Sequence, residues 1–576
     1  MGPSTGAYLS GFTPSEERPP TTFRWATSRA SVAVPLHGRG DGVLRFRAAR
    51  FLDHPARIHA YAWGAPVATF EARPGGHRVY EFPLRGARGP LRLDFVAEDP
   101  ELALAMDWIE VKGLGWRLPL TSWAPRLLVG GVFLVALLAG FGTAAAAAAA
   151  GGLALAQAAW AAADPFAFAH VAARVAPPAL ASAALLAWLA RRREHGRFLV
   201  LIFLAGYLLK GAALFHPSYF YNDVRNNLRY VLALRDGEGR LSERNHAAQV
   251  RVGVAYPRVV AGRRYAFPYA PVFFLPFGFL PEERIVEAMK QVALWCASVE
   301  AVAVFALARV LGASGAGAAL VSVLLPPLYS RLLLAMWSTV AGHLLDTVVV
   351  LATALLAARP DRLRPWLLQA GGTLAAFLTY ISSLFNLTLF GGFAALLCRP
   401  LALRLLAGWA AAATFTVAWL YAGFVALFFR EILPAAAAGA RMAAEGGGTG
   451  GGVIEALARI PIFYGWGYPA LAVAGFLLLA RRAPPAVFRV LAAYALAAAT
   501  LLALRAFGGG LFRDLKEIEF AAPLVALSAG AALEELARRG RAGRWAAALV
   551  LAGLVATSAE RYAEYVRAYA SLAGRP

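Results

Sequence analysis

The spacing of apolar residues divides the chain into two regions. Up to about residue 122, short runs alternate apolar and polar positions: Val43-Leu44-Arg45-Phe46-Arg47, Arg57 through Trp63, His77 through Phe82, Leu91 through Phe95, and Asp107 through Val111. A period of two turns one face of each run inward, and none is long enough to cross a bilayer. Turn signals at Gly38-Arg39-Gly40-Asp41-Gly42, Arg73-Pro74-Gly75-Gly76 and Arg88-Gly89-Pro90 separate these runs. The pattern predicts an all-β sandwich domain over residues 1–122, outside the membrane.

From Arg126 onward the alternation gives way to long apolar segments at about 126–141, 143–162, 178–190, 198–215, 285–311, 315–332, 339–357, 366–382, 384–398, 402–429, 462–480, 487–505, 521–537 and 545–558. They predict an α-helical polytopic membrane domain over 123–576 with about 12–14 spans. Several fall short of the roughly 20 residues a crossing needs, so the pairs 126–162 and 366–398 read as broken or re-entrant segments. No internal repeat of the transporter kind is visible in the sequence.

Composition agrees: of 576 residues, 59% are hydrophobic and 16% charged, with mean hydropathy +0.56, which excludes an ordinary soluble enzyme. The net charge of +22 is almost all arginine, in short clusters between apolar runs, so it indicates a membrane surface and no nucleic acid. The clusters are Arg191-Arg192-Arg193; Arg359, Arg362 and Arg364; Arg399 with Arg404; Arg481, Arg482 and Arg489; and Arg538, Arg539, Arg541 and Arg544. All fall on one side if the spans alternate. The positive-inside rule makes that side cytoplasmic, leaving the β domain and the loops 216–284, 430–461 and 506–520 extracytoplasmic. An exported N-terminal domain whose residues 1–30 lack an apolar core predicts an upstream signal anchor in the natural gene, or else the inverse orientation. Cys296 and Cys398 lie far apart in apolar stretches, and indicate neither a disulfide framework nor a cysteine-rich metal site.

Candidate chemistry concentrates in the predicted outer loops. Asp223, ahead of Val224, Leu228 and Leu232, reads as the N-cap of an amphipathic interfacial helix, and a bare cap is the plain alternative to a catalytic role. Around it stand Tyr219, Tyr221, Asn222, Arg225 and Asn226, hydrogen-bonding groups at a boundary where a carboxylate would take a proton from a hydroxyl. Arg263 and Arg264 precede the aromatic-proline segment Tyr265-Ala266-Phe267-Pro268-Tyr269-Ala270-Pro271 and would grip a phosphate, although such rings are commonly only an interfacial belt. Within the spans, Lys210, His343 with Asp346 three residues on, Tyr380 and Asn386 are polar groups that membrane burial makes expensive; Lys210 would otherwise snorkel. A late stretch from Arg505 to Phe520, including Arg513 and Lys516, places six ionisable groups at a boundary where cations would stabilise a leaving phosphate. The glycines 446–448 and 450–452 read as a flexible linker or hinge. No nucleotide loop or H-E-x-x-H motif occurs.

The order of these features, Tyr221-Asn222-Asp223 in the first large loop, then the aromatic-proline segment, then Arg513-Asp514-Leu515-Lys516 before a late span, resembles the GT-C superfamily of membrane glycosyltransferases, in particular bacterial members that use polyprenyl-phosphate sugars. The likeness covers roughly residues 126–576, and the N-terminal region is similar to carbohydrate-binding β modules that precede some such enzymes. The resemblance implies an inverting transfer to an extracytoplasmic glycan or protein acceptor of the cell envelope. In it Asp223 would be the base, Arg263, Arg264, Arg513, Lys516 and His343 would bind the donor phosphate, and Tyr221, Asn222, Arg225, Asn226, Tyr265 and Tyr269 would bind substrate. Many members carry a second acid where this chain has Asn222, which leaves open a divalent cation such as magnesium or manganese. Two other readings stand beside it: a transporter or flippase of lipid-linked sugar, which needs polar groups deep in the bundle, and a glycan-sensing scaffold, for which so many spans are excessive.

Overall fold

The computed structural model describes residues 9–13, 16–18, 21–34, 39–88, 91–98, 104–114, 123–163, 165–190, 196–216, 219, 221–252, 258–260, 263–265, 269–422, 425, 429–430, 434, 460, 463–507 and 519–572. Their contacts form two units, 1–192 with 211–221 and 564–576, and 193–210 with 222–563.

The N-terminal region is all-β. Its strands are β1 (Leu9–Phe12), β2 (Glu16–Arg18), β3 (Thr21–Val34), β4 (Arg39–Arg50), β5 (Ala56–Ala62), β6 (Ala65–Ala72), β7 (Gly75–Arg88), β8 (Leu91–Ala97) and β9 (Leu104–Lys112). They form one antiparallel sheet, ordered β6-β5-β8-β3-β9-β4-β7, with β1 and β2 added to β3. Each predicted alternating run lies on a strand, save Trp63 just past the end of β5, and the alternation works as expected: Ala56, Ile58, Ala60 and Ala62 of β5, and Leu91, Leu93 and Phe95 of β8, point into the core. The sheet curls until its end strands meet, bringing Phe70 of β6 within 4.7 Å of Tyr80 of β7, centroid to centroid. Phe46 of β4 completes this core against Phe70, Tyr80, Phe82 and Phe95 at 5.2–5.9 Å. The β5–β6 hairpin turns on Trp63 and Gly64, both at positive φ, as a two-residue turn between right-twisted strands requires. Gly40 and Gly42, expected in a turn, instead lie within β4 at an irregularity in its pairing with β7.

Every predicted apolar segment falls on helix among the described residues. The first helices are α1 (Trp123–Leu138), α2 (Thr143–Ala163), α3 (Pro165–Ala190), α4 (Gly196–Leu214), α5 (Asn222–Arg235), α6 (Leu241–Val252) and α7 (Glu282–Val310). There follow α8 (Ala316–Leu324), α9 (Pro326–Leu333), α10 (Trp337–Ala358), α11 (Leu363–Thr379), α12 (Ile381–Leu397) and α13 (Ala402–Thr416). The series ends with α14 (Gly467–Arg482), α15 (Pro485–Phe507), α16 (Ala522–Arg538) and α17 (Gly540–Leu572). A hairpin of β10 (Arg258–Val260) and β11 (Arg263–Tyr265) lies between α6 and α7. Among the described residues, eight helices are long and apolar enough to cross a bilayer, as in a multi-pass membrane protein.

A ninth crossing is the α8–α9 pair, bent by 44°. The sequence reads 315–332 as one span, but Pro326 and Pro327 lack amide protons, and Leu325 before them is held extended at φ −66°, ψ 119°. Of the pairs expected to be broken, 366–398 divides at Tyr380, whose backbone is extended between α11 and α12.

Candidate functional site

The site residues that the structure brings together belong to the second unit and form two layers. The first is α5, an amphipathic helix as predicted. It begins at Asn222, so Asp223 sits inside the first turn, where a carboxylate favours the positive end of the helix dipole, rather than at the cap. Asp223 is half-buried and accepts a hydrogen bond from Asn226 Nδ2 at 3.0 Å. One turn further along the same face, Asn227 Nδ2 donates to the Ala335 carbonyl at 2.7 Å. Ala335 lies between α9 and α10 with φ 54°, strained for a residue with a side chain. The helix bearing Asp223 is thus fastened to the α9–α10 turn.

The second layer is a buried polar cluster reached through that turn. Arg331, near the end of α9, pairs through Nε with Glu519 Oε1 and donates through a terminal nitrogen to Met336 Sδ at 2.8 Å. His343, two turns into α10, lies between two carboxylates, with Nδ1 3.5 Å from Asp346 Oδ2 and Nε2 3.7 Å from Glu519 Oε2. Asn386 of α12 donates to Asp346 Oδ2 at 3.1 Å, and the Tyr380 ring stands edge-on to His343 at 5.5 Å. Deeper along α7, Lys210 Nζ donates to the Ala297 carbonyl at 2.8 Å, and Thr347 Oγ1, which donates to the His343 carbonyl at 2.9 Å, lies 3.4 Å from Glu300 Oε1. Lys210, Glu300, Arg331, His343, Asp346 and Glu519 are all 1–8% exposed. The cluster thus combines three carboxylates with a lysine, an arginine and an imidazole in an apolar bundle, where uncompensated charge is costly. Asp346 Oδ1 and Ser383 Oγ have no hydrogen-bond partner among the described residues.

The structure places the other predicted residues unevenly. Arg225 is exposed, Tyr221, Asn226 and Tyr269 are half-buried, and the Tyr269 carbonyl accepts from Asn245 and Gln249. Arg263, Arg264 and Tyr265 lie on β11, paired with Val260, Val259 and Arg258; their side chains, like that of Asn222, lie outside the described residues. Arg513 and Lys516 lie outside them altogether. Lys210 does not snorkel: it is buried, with Nζ 5.4 Å from the centre of the Tyr329 ring.

Glu300 and Arg331 were not foreseen, although each is a lone charge inside an apolar run, a signal visible in the sequence. Glu519 stood in the late charged stretch, but nothing local distinguished it from Glu517. No group of three or more His, Cys, Asp or Glu side chains converges as a metal site among the described residues. Comparison with protein-family models and with curated proteins finds no match for this chain.

Proposed function

We propose that the protein is an integral-membrane glycosyltransferase that moves a sugar from a polyprenyl-phosphate donor to an extracytoplasmic glycan or protein acceptor, with inversion at the anomeric carbon. The observation that carries this reading is the Asn227–Ala335 hydrogen bond. It holds a half-buried carboxylate, Asp223, to the turn whose flanks bear Arg331 and His343. Asp223 takes the proton of an acceptor hydroxyl as its oxygen bonds to the anomeric carbon, and the bond from that carbon to the lipid phosphate breaks with its electron pair on phosphate. Cations beside the leaving oxygen stabilise the charge that develops there. His343, Arg331 and the basic residues Arg263, Arg264, Arg513 and Lys516 are the proposed groups. A divalent cation would have only the Asp223 carboxylate as a ligand on α5. The positive-inside pattern supports an extracytoplasmic site, and the β domain would bind glycan on the same side.

A second reading has its own support. The transporter or flippase alternative requires polar groups deep in the bundle, and Lys210, Glu300 and Asp346 are such groups. Purified protein in lipid, given a panel of polyprenyl-phosphate monosaccharides, separates the two. Transfer by the wild type that falls at least about a hundredfold in folded Asp223→Asn is the expected result. Full activity in that variant removes Asp223 from the chemistry, and donor crossing the bilayer without transfer selects the transporter.

A further inference from the structure

We infer that Asn245 is the positioning residue that sets Asp223 in place, by locking the helix bearing it to the aromatic-proline segment; this rests on the glycosyltransferase reading above. Helix α6 is polar, yet its Asn245 and Gln249, one turn apart, are 0% and 1% exposed. Buried amides are costly unless their hydrogen bonds are made, and here they are directed outward to two other elements. Tyr230 of α5 donates its hydroxyl to Asn245 Oδ1, which also accepts from Gln249 Nε2 at 2.8 Å. Asn245 Nδ2 donates to the Tyr269 carbonyl at 2.8 Å, and Gln249 Nε2 reaches the same oxygen at 3.2 Å.

Tyr230 is seven residues beyond Asp223, on the same face of α5 as Asn227. The helix therefore has two anchors along one face, Asn227 to Ala335 and Tyr230 to Asn245, which fix both its axis and its rotation. The segment on the far side of Asn245 is held as well. Tyr230 packs edge-on against Phe274 at 4.9 Å, and Val272 N donates to the Leu378 carbonyl at 3.2 Å, two residues before Tyr380. An apolar residue at 245 would fill the space but make neither link. An amide used at both ends defines one distance between Asp223's helix and Tyr269.

The test uses the full chain in lipid. In Asn245→Ala, kcat for sugar transfer falls on the order of ten- to a hundredfold while the donor KM stays within about twofold, because the base is misplaced and donor contacts are kept. Tyr230→Phe, the milder variant, lies between, and the double variant is no worse than Asn245→Ala by more than about twofold, since Asn245→Ala already lacks the bond that Tyr230→Phe removes. Hydrogen exchange reads the link without reference to activity: Asn245→Ala speeds exchange in both 222–235 and 269–272 while 337–358 stays protected. Wild-type kcat in the folded variant, or loosening confined to 241–252, overturns the inference. A wild type that transfers no sugar defeats the glycosyltransferase reading instead, and the exchange pattern still decides whether Asn245 joins the two elements.

Discussion

The Arg331–Glu519 pair shows how a single buried residue depends on its partner. Both side chains are almost completely buried, so removing either leaves the other's charge without compensation in an apolar bundle. Arg331→Met or Glu519→Gln is expected to destabilise the protein by about 3–5 kcal/mol, and the double variant by much less than the sum. Thermal unfolding of the four proteins in one detergent checks this; additive losses would show that the pair is not coupled. Legibility at this scale followed sequence distance. His343 and Asp346 were readable as partners because three residues along a helix place them on one face. Glu519 was not, because its partners lie 176 and 188 residues earlier in the chain, on other helices.

Among elements, close packing depends on small residues that apolar patterning does not single out. A side-chain carbon added at Gly475 of α14 would lie 1.7 Å from the Ser528 carbonyl oxygen of α16, and one at Gly530 of α16 would lie 2.2 Å from Ala318 N of α8. Main chain cannot yield as a flexible side chain can, so the three helices would have to separate. Gly475→Ala is expected to cost about 1–3 kcal/mol or more. Lowered thermal stability, with no comparable effect of Gly391→Ala, where no atom lies within 4 Å, is the checking result. Element existence was legible throughout, since long apolar runs form helices and alternating runs form strands wherever they are buried. The α8–α9 bend was written in Pro326-Pro327 yet hidden by the uniform hydropathy of 315–332. Strand β3, which pairs with both β8 and β9, has no run of strict alternation to announce it.

For the whole molecule, the arginine clusters predict one sidedness. In a variant whose buried Cys296 and Cys398 are replaced by alanine, a cysteine at Glu238, in the α5–α6 connection, should react with a membrane-impermeant maleimide added to intact cells. A cysteine at Asp361, in the α10–α11 connection, should react only after permeabilisation. The opposite pattern would invert the orientation and place Asp223 on the cytoplasmic side, against transfer to an extracytoplasmic acceptor.

Hydropathy and its period are local properties, and they alone determined that this chain is a β domain followed by a many-helix apolar bundle, with an acid at the start of an amphipathic helix. Only the tertiary structure decided which polar groups share a site. Lys210, Glu300, Arg331, His343, Asp346, Asn386 and Glu519 come from separate parts of the chain and converge because none can stay unpaired among apolar side chains. Asn245 shows the same division: in sequence it is one more polar residue of a polar helix, and its hydrogen-bond partners, Tyr230 and the Tyr269 carbonyl, are brought to its two ends by the fold.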